Sequence, residues 1–144
     1  MKTRIYQAVI ILVSVFSSAN LFAQNTSLEV TVKNIKGTKG TIRIGLFTTE
    51  ADFLKNAVQG KVVDANGSEV KVVFEDLPAG DYAISVIHDE NGNEKLDTKA
   101  MGIPKEGFAF GNNAMGSFGP PKFDQVKVKL EGKPVQQVIT MKYM

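Results

Sequence analysis

Apolar and polar residues alternate one by one through most of this chain. Leu28, Val30 and Val32 interleave with Glu29, Thr31 and Lys33, and Ile42, Ile44 and Leu46 with Thr41, Arg43 and Gly45. Val70, Val72 and Phe74 do the same against Glu69, Lys71 and Val73, as do Val126, Val128 and Leu130 against Gln125, Lys127 and Lys129. Tyr82, Ile84, Val86 and His88 share one parity, and Val135, Gln137, Ile139, Met141 and Tyr143 share another. Successive strand residues point to opposite faces, so a period of two predicts strands with one face buried and the other wet. Turn signals separate them at 36–40, 65–68 and 131–134, and Asn66-Gly67 predicts a hairpin. About seven such strands in one short chain predict a single all-β domain, an antiparallel β-sandwich. One stretch, Glu50 to Ala57, predicts a turn or two of helix, capped by Thr49 and burying Phe53, Leu54 and Ala57.

The first 23 residues read differently. Lys2 and Arg4 precede an apolar stretch from Ile5 to Phe16, and small residues lead to Ala23. This predicts a secretory signal peptide over 1–23 and a β-sandwich domain over 24–144. An apolar stretch of about 12 residues is too short to span a bilayer, so no membrane span is expected after cleavage. Cleavage would remove two of 17 basic residues and none of the 15 acidic ones, leaving a formally neutral domain. With no basic run elsewhere, nucleic acid is not an expected partner. The expected location is exported, in the periplasm or outside the cell. The chain has no cysteine and one histidine, which excludes disulfides, thiolate metal sites, a cysteine nucleophile and multi-histidine centres within one chain.

Oxygen chemistry is what remains, and it gathers in one stretch. Asp89, Asn91, Asn93 and Asp97 stand at positions 1, 3, 5 and 9 of a loop. That is the spacing at which the front of an EF-hand converges oxygen ligands on calcium, with Lys95 offering its backbone carbonyl from position seven. The match departs at two places: position six is Glu94 rather than Gly, and position twelve is Ala100 rather than a bidentate Glu. Glu106 is a candidate for the missing carboxylate. The other reading of this loop is a polar turn held by Asx side-chain hydrogen bonds. His88 precedes the loop. It either orders that loop by hydrogen bonding or serves a small hydrolase together with Asp89 or Glu106. No nucleophile elbow surrounds any serine, so no catalytic residue is assigned.

From Thr98 to Lys122 no clean strand pattern is visible. Four of the nine phenylalanines (Phe108, Phe110, Phe118 and Phe123) and five of the 13 glycines lie between 102 and 123. So much aromatic surface predicts an ordered loop that folds back, with Phe108 and Phe110 closing the sandwich. The alternative is an exposed aromatic surface for a ligand or partner.

Several short motifs occur together. They are Leu77-Pro78-Ala79-Gly80-Asp81-Tyr82-Ala83, His88-Asp89-Glu90-Asn91-Gly92-Asn93, Leu96-Asp97, Gly102-Ile103-Pro104-Lys105-Glu106-Gly107, Asn112-Asn113 and Pro120-Pro121-Lys122-Phe123. In this order they resemble the domain of unknown function 2141 family of small exported bacterial proteins, densely over about residues 74–124. The family pattern has Gly where Glu94 stands. The Leu77–Tyr82 segment also looks like the tyrosine corner of immunoglobulin-like sandwiches. The first half of the motif set is similar to transthyretin-like and carboxypeptidase-regulatory-like sandwiches, which are mainly accessory or binding modules. The resemblance implies an immunoglobulin-like or transthyretin-like sandwich and supplies no substrate. The expectation is therefore a non-catalytic binding or scaffolding module at the cell envelope. Its partner would be an envelope protein or a small ligand, and calcium its one candidate cofactor. An edge strand at 27–35 would be free to pair between chains.

Overall fold

The computed structural model describes residues 24–144, so the expected leader lies outside the described residues. The eight strands among the described residues are β1 (Thr26–Lys33), β2 (Thr41–Phe47), β3 (Gln59–Asp64), β4 (Glu69–Leu77), β5 (Gly80–Asp89), β6 (Gly107–Phe110), β7 (Lys127–Leu130) and β8 (Val135–Thr140). Six form where the alternation places them and two, β3 and β6, are additions. One sheet has the order β4-β1-β8, and the other β3-β2-β5-β6, with β7 pairing β5 as well. The two sheets bury Leu28, Val30, Ile42, Ile44, Phe74, Ile84, Ile139 and Met141 between them. This is the expected β-sandwich. Among the described residues its one departure from antiparallel pairing is β8, which runs parallel to β1 from Leu28↔Val135 to Lys33↔Thr140.

Two local expectations fail for tertiary reasons. Asn66-Gly67 does not close a hairpin, because β3 and β4 lie in different sheets. The turn is instead a corner between the layers, anchored by the fully buried Ala65, whose amide donates to the Gly40 carbonyl at 3.1 Å. The segment 27–35 is not an edge, since β1 is the central strand of its sheet. The tyrosine corner does form. The Tyr82 hydroxyl donates to the Pro78 carbonyl at 2.8 Å across the crossing from β4 to β5, and burial pushes its pKa up.

The stretch 50–57 is not a helix. Thr49 does accept the Asp52 amide at 3.2 Å, and one turn closes through Asn56 N–H to the Asp52 carbonyl at 2.9 Å. Leu54, inside that turn, already leaves the helical region with φ 60°. Phe53 packs inward, while Leu54 and Ala57 are exposed.

The segment 98–122 divides into parts rather than forming one large loop. Residues 97–105 form a small hairpin closed by Lys105 N–H to the Asp97 carbonyl (2.8 Å) and by the Thr98↔Pro104 bridge. β6 follows, buried at all four residues, so it shows no alternation to read. Then Asn112 and Asn113, both in the left-handed region (φ 56° and 54°), turn the chain away. Asn113 works as a substitute strand: Thr140 N–H donates to its Oδ1 (2.8 Å) and its Nδ2 donates to the Val138 carbonyl (2.9 Å). Below it, Phe108 and Lys142 exchange backbone bonds at 2.8 and 3.0 Å. Together they cover the outer edge of β8, which would otherwise present unpaired backbone groups.

Candidate functional site

The loop after β5 is built around Asp89, which is fully buried. Its Oδ1 accepts the amides of Gly92 (2.8 Å) and Asn93 (3.2 Å), and its Oδ2 accepts the amide of Glu94 (2.9 Å). Arg43 Nη1 stands 3.9 Å from Oδ2. A buried carboxylate is stable only when its lone pairs are filled, and here backbone donors fill them. The tight turn needs left-handed residues at two places, Gly92 (φ 75°) and Glu94 (φ 66°). Position six thus keeps the conformation that Gly favours although Glu occupies it. The Glu94 carboxylate turns back to Arg43 Nη2 at 3.6 Å.

Asn91, Asn93 and Asp97 do converge. The Asn91 and Asn93 side-chain amides both donate to the Asp97 carboxylate, the second at 2.9 Å. Their own oxygens accept Asn93 N–H and Lys95 N–H, each at 3.0 Å. Glu106, 5% exposed, reaches in from the bend just before β6 but joins neither group. Its two oxygens accept the amides of Glu90 and Asp97, each at 3.0 Å, stapling both ends of the loop. Among the described residues no three His, Cys, Asp or Glu side chains are grouped to hold a metal ion. The donor set fits a hydrogen-bonded Asx turn as it stands; a cation would have to turn the two Asn amides over and displace these bonds.

His88 is fully buried, and neither Asp89 nor Glu106 is among its partners. Its Nε2 lies 2.8 Å from the Lys39 carbonyl, which can only accept, so this nitrogen carries the proton. In the neutral ring Nδ1 accepts from the Tyr143 hydroxyl at 2.9 Å, and that oxygen accepts the Lys36 amide at 2.9 Å. Burial pushes the Tyr143 phenol up, with the Lys36 bond acting the other way, so the phenol keeps its proton at neutral pH. The nearest acid is Glu90, whose Oε1 stands 4.0 Å from Nδ1. The ring ties the 36–40 turn to the last residues of the chain.

The surface that no motif pointed to lies on the outer face of the second sheet. Strand alternation sends Phe47, Ala83, Phe108 and Phe110 there, opposite to the main core. They form a second cluster with Phe123 and Val126, against which Phe53 and Leu96 pack. The Phe47 and Phe53 rings meet edge to face at 5.5 Å. Phe108 and Phe110 therefore close a second core rather than the sandwich interior. Beside this cluster runs a groove of about 960 Å³. Its floor is Phe47, Ser85, Phe108 and Phe110, and its walls are the 97–105 hairpin and the 115–120 segment. At the rim Met101 is 98% exposed and Phe118 is fully exposed, while Ile103 and Met115 are less so. The only signals in the sequence were the Phe and Gly enrichment between 102 and 123, because the groove joins residues far apart in the chain.

Among the described residues no helix is long and apolar enough to cross a membrane. A family profile described as "Uncharacterized protein conserved in bacteria (DUF2141)" matches residues 30–138, and the chain belongs to that bacterial family. No curated protein matches the chain, and no solved structure matches it.

Proposed function

We propose that this DUF2141 protein is an exported, non-catalytic binding module of the cell envelope, and that its binding site is the groove on the outer sheet face. The observation that carries this reading is the exposure of Met101 and Phe118 on the rim of an apolar concavity of about 960 Å³. A concave, mostly apolar pocket of this size is the usual form of a small-ligand site. Exposed large apolar side chains beside it mark a surface that something covers. The state of His88 supports a structural role over the hydrolase alternative, since the ring is enclosed and both nitrogens are engaged. The test is binding of Nile red to the purified protein. The Met101→Ser and Phe118→Ser variants should each weaken dye binding while leaving the melting temperature within error. Undiminished binding by both variants would sink the assignment.

Calcium at 89–97 is a second reading, favoured by the convergence of Asn91, Asn93 and Asp97 on one point. An ion that binds only the folded state raises the melting temperature by mass action. Coincident melts in calcium and in chelator would leave the loop as a hydrogen-bonded turn.

A further inference from the structure

We propose that the groove takes one long-chain free fatty acid, its hydrocarbon along Phe47, Phe108 and Phe110 and its carboxylate at Lys95. This rests on the groove being the binding site. The floor selects against a peptide. It is the face of a sheet in which β5 is already paired to β2 on one side and to β6 on the other. A peptide laid across it would find no main-chain partners, whereas an alkyl chain needs none. The floor's one polar side chain is Ser85, itself 8% exposed. The walls carry Met101, Met115 and Met144, whose unbranched thioethers can follow a flexible chain.

The charges select the head group. Among the described residues the groove is lined by two residues with charged side chains, Glu94 and Lys95. Glu94 is held by Arg43 at 3.6 Å, and the Met144 main-chain oxygen at the rim is met by Lys99 Nζ at 3.5 Å. Lys95 makes no ion pair among the described residues, so its ammonium is the charge left for a ligand anion. The shape selects one chain over a flat surface. A second copy of this concave face, or a bilayer, would leave the concavity unfilled, and unfilled apolar voids forfeit contact energy.

The test is displacement of a dansyl-labelled fatty acid from the purified protein by octanoate, dodecanoate, hexadecanoate and hexadecanol. Affinity should rise by about fourfold per methylene until the groove is filled. Hexadecanoate should bind about threefold more tightly than hexadecanol, the worth of one exposed ion pair. In Lys95→Glu, attraction becomes repulsion, so hexadecanoate should weaken about tenfold while hexadecanol is unchanged. Lack of chain-length dependence, or equal response of acid and alcohol to Lys95→Glu, would overturn the proposal. So would co-sedimentation with phosphatidylethanolamine–phosphatidylglycerol vesicles that hexadecanoate does not reverse, which would make the groove's rim a membrane contact. Nile red separates the two levels. If hexadecanoate fails while the dye still depends on Phe118, the fatty acid is wrong and the groove stands. If the dye ignores both Phe118 and Met101, both fall.

Discussion

Replacing Asp89 by Asn changes one atom of a buried side chain and should cost far more than most isosteric swaps. The carboxylate accepts three backbone amides, from Gly92, Asn93 and Glu94, and Arg43 approaches the same Oδ2 that takes Glu94. An Asn amide can keep the two bonds at Oδ1. At the Oδ2 position it places an N–H₂ group against the Glu94 N–H, 2.9 Å away, and faces the Arg43 guanidinium with donors. One charge-assisted bond is lost, roughly 1.5–3 kcal/mol, and the two retained bonds weaken because their acceptor is no longer charged. The full exclusion of Asp89 from solvent means that water does not replace the lost acceptor without local opening. The sum is about 3 kcal/mol, or roughly a 10 °C fall in melting temperature for a domain of this size. Equilibrium urea unfolding of wild type and Asp89→Asn at neutral pH, with matched m-values, measures it. The loss should be the same in calcium and in chelator, because the partners are amides. A loss below about 1 kcal/mol would refute the view that this carboxylate organises the loop.

Three further outcomes are expected. Glu94→Gly should stabilise the protein by about 0.5–1 kcal/mol in thermal or urea melts, because φ of 66° is strained for Glu and free for Gly; the pair it gives up is a long one, 3.6 Å from Arg43 Nη2, with its Glu94 end exposed. Asn113→Ala removes both bonds to the β8 edge and should cost about 1–2 kcal/mol, with faster hydrogen exchange at the Thr140 amide as its local sign. Lys127 donates to Asp81 and Asp124, each at 2.9 Å, and these hydrogen bonds push its pKa up to about 12. A cation whose pKa is raised on folding stabilises fully below the unfolded value of 10.5, and that contribution fades as pH climbs through about 12. Alkaline unfolding should therefore lose a component in that window that Lys127→Met lacks already at neutral pH.

Local chemistry in the sequence determined much of this molecule. Period-two alternation identified β1, β2, β4, β7 and β8 because one face of each is more buried than the other, and it identified β5 by the parity of Tyr82, Ile84, Val86 and His88 although both faces of that strand are largely buried. β6 escaped because it is buried on both sides, and β3 because it is exposed on nearly all of its length, so neither alternates. Asx spacing identified the loop at 89–97, since side-chain-to-backbone bonds act over a few residues. Its donors and acceptors were legible, whereas the pairing of each was not. The Tyr82 corner was legible for the same reason, its hydroxyl reaching four residues back.

What the tertiary structure decided is everything that joins distant segments. The sequence of Asn66-Gly67 suits a turn in either setting, and only the packing of two sheets makes it a corner rather than a hairpin. The assignment of β1 to the centre of its sheet depends on β8 arriving in parallel from the other layer. Glu106 carries no local mark of its role, because the amides it staples belong to Glu90 and Asp97, 16 and nine residues earlier. The groove is the extreme case. Phe47, Ser85, Phe108 and Phe118 meet on one surface only after β2, β5 and β6 are in register, so no window of sequence contains the site. Hydrogen bonds between near neighbours are written in the residue order, whereas apolar surface is non-directional and acquires a place only when the sheets pack.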